Sequence, residues 1–139
     1  MRNRIAALLA ALAIPLFAAL GTAVPAAAAA TAVEFNTAKD IDWYSATRDC
    51  YTITALSACV QPNGDDIWIW DKKDDGYPVQ ITWWDGDGSR EGVCYDNLGP
   101  SKVWVYCNKD WTEGHTIYWY AEWYDDGQWW SGFTQTTPV

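Results

Sequence analysis

Residues 115–124 read HTIYWYAEWY. In an extended chain successive side chains point to opposite faces, so Ile117, Trp119, Ala121 and Trp123 line one side and Tyr118, Tyr120, Glu122 and Tyr124 the other. The same alternation recurs upstream. DIWIWD at 66–71 sets Ile67 and Ile69 against Trp68 and Trp70, and YPVQITWW at 77–84 puts Val79, Ile81 and Trp83 on one face. Pro78 belongs at the start of its strand or on an edge, because it cannot donate to a ladder. Asp-Gly pairs at 75–76, 85–86, 87–88 and 126–127 supply the chemistry of tight turns between such runs. Seven or eight short strands and no helical period predict an all-β chain. The architecture expected is a small disulfide-bonded β-sandwich of about six to eight antiparallel strands, with a closed barrel as the alternative.

Outward from these strands lies EGVCYDNLGPSKVWVYC at 91–107. Folding about the turn-forming Asn97–Pro100 predicts a hairpin in which Cys94 faces Cys107 and Tyr95 faces Tyr106. Opposed α-carbons of adjacent antiparallel strands lie about 4.5–5.5 Å apart, which suits a disulfide. That leaves Cys50 to pair with Cys59, although four cysteines allow three connectivities. The stretch also echoes CVQPNGDDIWIWDKKD, which starts at Cys59. Each copy has a cysteine, a glycine five residues on, an alternating aliphatic and aromatic run, and a Lys-Asp pair. Two copies in one small domain suggest two hairpin units packed face to face.

The first thirty residues carry Arg2 and Arg4, an apolar run interrupted by Pro15, and an alanine tract ending at Ala30. This is the pattern of a secretory signal peptide. The expected organisation is therefore a leader over 1–30 and a single domain over 31–139, secreted, monomeric and without a membrane anchor once the leader is cleaved. All 18 acidic residues but only seven of the nine basic ones lie after residue 30, so that segment carries a net charge of −11. Nucleic-acid binding is excluded on this balance, because phosphate contacts need clustered Lys and Arg.

No catalytic constellation stands out. His115 is the only histidine, there is no GxSxG elbow, and the cysteines are better used in disulfides. Glu91, Glu113 and Glu122 could serve as paired carboxylates, but spacing alone does not bring two of them together. Asp85, Asp87, Ser89 and Glu91 alternate as in a calcium loop, without the EF-hand glycine pattern or flanking helices, and read as a solvated turn. The chain is expected to be non-enzymatic, with no cofactor and no metal.

The aromatic content points to binding. All 11 tryptophans and 8 tyrosines follow residue 30, more than a domain this size can bury when each removes about 150–250 Å² from water. Ile67, Ile69, Val103 and Val105 can supply a core from one side of the two echoed strands. An aromatic stripe such as Trp68, Trp70, Trp104 and Tyr106 on the opposite side is core more often than not, but with the aliphatic side facing inward it would be exposed, and such patches mark interfaces.

From Cys59 to Tyr118 the chain resembles the tendamistat-type proteinaceous α-amylase inhibitors. The likeness is carried by Cys59-Val60, Trp68 and Trp70, the turn at Asp74–Gly76, EGVCY from Glu91, and Gly114-His115 followed by Tyr118. The resemblance implies a secreted β-sandwich that blocks an extracellular glycoside hydrolase with a Trp-Arg-Tyr triplet, matched here by Trp68, Ile69 and Trp70. Ile69 stands where the family has arginine. Tyr77 and Glu122 stand where it has the partners of the cysteines matched by Cys59 and Cys94. The piece CYDNLGPSKVWVY with Gly114 is also similar to one motif of β/γ-crystallin-like antifungal proteins, which implies a β/γ-crystallin-like Greek-key domain as the alternative fold and a chitin-binding or other carbohydrate-binding module. The expected partner is accordingly an extracellular glycoside hydrolase or a polysaccharide, met through Trp68, Ile69, Trp70, Trp104 and Tyr106.

Overall fold

The computed structural model describes residues 31–139, and the leader expected over 1–30 lies outside them. Eleven strands and no helix make up the described chain. They are β1 (Glu34–Thr37), β2 (Lys39–Asp40), β3 (Asp49–Thr52), β4 (Leu56–Gln61), β5 (Asp66–Asp71), β6 (Val79–Asp85), β7 (Glu91–Asp96), β8 (Val105–Asn108), β9 (Thr116–Asp125), β10 (Gln128–Ser131) and β11 (Gln135–Pro138). One sheet has the order β1-β7-β6-β9-β10, with β11 also pairing β9; the other has the order β2-β8-β5-β4-β3. The fold is a small disulfide-bonded β-sandwich, as the alternation predicts. The additional strands are short pieces at the sheet margins, too brief to show a period in sequence.

Alternation decides the core. Val79, Ile81 and Trp83 of β6 meet Ile117, Trp119 and Ala121 of β9 on the inner side, and Ile67, Ile69, Ala58 and Val60 come from the opposing sheet. Trp83 and Trp119 are fully buried. The Trp119 indole donates to Thr137 Oγ1 at 3.0 Å, so its polar edge is satisfied inside the sandwich. Pro78 sits just before β6, where no ladder bond is lost, and its carbonyl accepts from Tyr124 N. The β9–β10 hairpin turns on Asp126 and Gly127, both at positive φ (50° and 82°), the conformation that Asp-Gly favours.

The cysteine pairing matches expectation, but the hairpin does not. Cys50 and Cys59 are opposed across β3 and β4, with α-carbons 4.1 Å apart. Cys94 and Cys107 are also bonded, yet β7 pairs with β6 and β1 while β8 pairs with β5 and β2 in the other sheet. Tyr95 therefore does not face Tyr106. The eight residues between β7 and β8 carry the chain across the sandwich, with Gly99 at φ 74°, instead of closing a tight turn. Val103 lies in this crossing and is exposed, so Val105 alone of the two enters the core. The echoed units differ for the same reason. The first is a true hairpin, β4–β5, whereas the second is divided between the sheets.

A candidate binding face

The stripe expected from the echo does form. β8 lies beside β5, so Trp68 stacks on Tyr106 with ring centroids 5.3 Å apart and Trp70 lies 5.8 Å from Trp104. It is not open, however. The irregular segment 41–48 folds over it. Trp43 stacks on Trp104 at 4.2 Å and meets Trp68 edge-on, Tyr44 also meets Trp68 edge-on, and the Arg48 guanidinium lies 3.7 Å over the Trp43 ring. Tyr44 Oη donates to Asp66 Oδ2 at 2.9 Å and accepts from Gln61 Nε2 at 2.8 Å, pinning the segment to the ends of β4 and β5.

Trp68 is in consequence 0% exposed, and Ile69, pointing the other way, is 0% exposed in the core. Neither can touch a partner, which corrects the expectation for that pair. A segment without periodicity has supplied the aromatic cover that the alternating strands lacked. Trp70, Trp104 and Tyr106 keep only partial exposure at its margin.

A second aromatic surface lies on the outer side of the six-stranded sheet, where Trp84, Tyr118, Tyr120 and Tyr124 are half-buried and Phe35, Tyr77 and Trp129 exposed. Register brings its residues into rows: Glu91, Trp84 and Tyr118; then Phe35, Val93, Thr82 and Tyr120; then Tyr95, Gln80 and Glu122; then Tyr124 and Trp129. Trp84 and Tyr118 stack nearly parallel, 13° apart, with centroids at 5.6 Å. Tyr124 is flanked by Tyr77 at 5.3 Å and Trp129 at 5.5 Å, and Phe35 lies 5.5 Å from Tyr95. Six residues along β9 separate Tyr118 from Tyr124, a distance of about 20 Å at the rise of a strand. Among the described residues no strand packs across this side; β6 meets the other sheet at β5, through the core.

Polar groups occupy the centre of the surface. Glu122 Oε2 accepts from Gln80 Nε2 at 2.7 Å and from Thr82 Oγ1 at 2.6 Å, which holds the carboxylate in one place between the Trp84 cluster and the Tyr124 cluster. Its other oxygen, Oε1, receives neither bond. At the end nearest Tyr95 the sheet opens into a cleft of about 660 Å³, walled by Tyr77 and Tyr95 and by the turns at 74–78 and 97–101.

The alternation of β9 already groups Tyr118, Tyr120, Glu122 and Tyr124 on one side of that strand. What spacing could not reveal is that β7, β6 and β9 lie side by side, joining three half-apolar faces into one. Of the glutamates that could have paired, Glu91 and Glu113 are exposed and Glu122 is engaged with Gln80 and Thr82. The chain matches no protein-family model, and neither the curated proteins nor the solved structures include a significant match to it.

Proposed function

We propose that this is a secreted, non-catalytic carbohydrate-binding protein that takes a polysaccharide chain on the outer side of its six-stranded sheet. The observation that carries the reading is the joining of Trp84, Tyr118, Tyr120, Tyr124 and Trp129 into one partly exposed surface around the fixed Glu122 carboxylate. Aromatic rings stack on the C–H faces of sugars, while Gln80, Thr82 and Glu122 Oε1 are suited to hydroxyls. Small sites of this kind rely on apolar area with a few fixed polar groups. The acidity of the chain favours a neutral glycan over a carboxylated or sulfated one, and a flat surface favours an extended chain. The basic, apolar and alanine-rich leader and the two disulfides support secretion.

Burial of Trp68 and Ile69 removes the triplet on which glycosidase inhibition would depend, so the polysaccharide reading is preferred. Depletion assays on insoluble cellulose, chitin and starch test it, run beside inhibition of an α-amylase panel. Retention on one glycan, lowered at least tenfold in Trp84→Ala/Tyr118→Ala and in Glu122→Gln, is the expected outcome. Inhibition without retention on any glycan would replace it with the inhibitor reading.

A further inference from the structure

At the rim of the same sheet, where β6 ends and β9 begins, three side chains converge from two chain segments. Asp85 Oδ2 lies 2.7 Å from His115 Nδ1, and Asp87 Oδ2 lies 3.8 Å from that nitrogen. One donor atom from each residue falls within 4.8 Å of the others. They front a cleft of about 300 Å³ shared with Gly86, Thr116 and Tyr118.

The backbone beneath them is tied down. Asp85 N donates to Arg90 O, Gly86 N to Thr116 O, His115 N to Thr112 O, and Val139 N to His115 O. The charge of the cluster is also unbalanced. Asp85 is 1% exposed; the His115 imidazole is hydrogen-bonded to its Oδ2 and Asp87 N donates to its Oδ1 at 3.3 Å, so one imidazole faces two carboxylates. The nearby Arg90 is committed elsewhere, to Glu34 at 2.8 and 3.2 Å and to the carbonyls of Lys109 and Asp110. Among the described residues neither Asp85 nor Asp87 forms a salt bridge to lysine or arginine.

We propose that Asp85, Asp87 and His115 form a binding site for a borderline divalent transition-metal ion, of which zinc is the representative. The donor set decides the class. One imidazole nitrogen with carboxylate oxygens suits zinc and its neighbours, whereas calcium and magnesium prefer oxygen alone. Donors bound at about 2.0–2.2 Å in a tetrahedral shell stand about 3.4 Å from one another. The two observed separations from Nδ1 bracket that value, so small rotations of Asp85 and Asp87 suffice. The Nδ1 lone pair and one oxygen of each aspartate bond to the ion, any Nδ1 proton leaves to solvent, and the remaining position faces the cleft.

Titration calorimetry of the disulfide-intact protein with zinc chloride, and separately with calcium chloride, tests the site in the wild type, His115→Ala and Asp87→Asn. Asp87 is exposed, so its substitution leaves the fold intact, and circular dichroism checks both variants. Saturable one-to-one zinc binding is expected, weakened at least tenfold by either substitution, with no calcium binding of similar strength. The proposal is overturned if the wild type takes up no zinc saturably, if both variants bind as the wild type does, or if calcium binds equally well.

Discussion

Cys94 and Cys107 sit on different sheets, their α-carbons 6.0 Å apart, and their disulfide crosses the core between the two layers. Cys50 and Cys59, by contrast, join neighbouring strands within one sheet. Chain separations of 13 and 9 residues imply similar losses of loop-closure entropy, about 3 kcal/mol each. Only the first bridge is also buried on both sides. The Cys94→Ala/Cys107→Ala pair should therefore destabilise the protein more than Cys50→Ala/Cys59→Ala, with the excess arising from the cavity left between the sheets. Chemical denaturation of the two double variants measures the order.

Trp68 and Trp84 should respond in opposite ways. Trp68 is enclosed by Trp43, Tyr44 and Tyr106, so Trp68→Ala should cost roughly 3–5 kcal/mol of stability and leave glycan retention by the folded fraction unchanged. Trp84→Ala lies on the open side and should cost under about 1.5 kcal/mol while reducing retention. Equal stability losses in the two variants would count against the assignment of covered and uncovered faces.

Gly92 is where β1 comes closest to β7. A Cβ there would stand 2.5 Å from the Glu34 carbonyl oxygen and 3.0 Å from the Trp83 ring. Both neighbours are held, one by the parallel ladder and one by the core, so neither can yield cheaply. Gly92→Ala should destabilise by roughly 1–3 kcal/mol and loosen β1 selectively. Faster amide exchange along β1, with β9 still protected, is the expected signature in hydrogen-exchange mass spectrometry.

Asp96 sets a pH dependence. Its side chain is buried at the end of β7, Oδ2 has no hydrogen-bond partner, and Oδ1 accepts from Leu98 N. Burial pushes its carboxyl up to about 6, with the nearby Asp71 carboxylate adding to the rise. Asp71 is itself raised, chiefly by burial. The folded state thus holds a proton that the unfolded chain gives up near pH 4. The stability contributed by protonated Asp96 is complete below pH 4 and is lost as pH rises toward 6. Asp96→Asn should remove that slope and raise stability at pH 7 by about 2 kcal/mol. Thermal melts of the two proteins between pH 4 and pH 7 compare the slopes directly.

Local pattern alone determined much of this protein. The alternation in DIWIWD, VQITWW and TIYWYAEWY separated the two faces of β5, β6 and β9, and the Asp-Gly pairs marked turns; both disulfide pairings were expected, but Cys94–Cys107 from a hairpin that does not form. These are properties of a strand and its immediate neighbours in the chain, where period and turn chemistry act. Tertiary structure decided which sheet each strand joined and which aromatic face stayed open. Alternation divides a strand into two sides, but it does not say what will pack on the second one. Segment 41–48, with no period of its own, covered Trp68, while the sides of β6, β7 and β9 merged uncovered around Glu122. The meeting of Asp85 and Asp87 with His115, about thirty residues away, likewise depends on β6 and β9 lying side by side, a pairing between strands far apart in the chain.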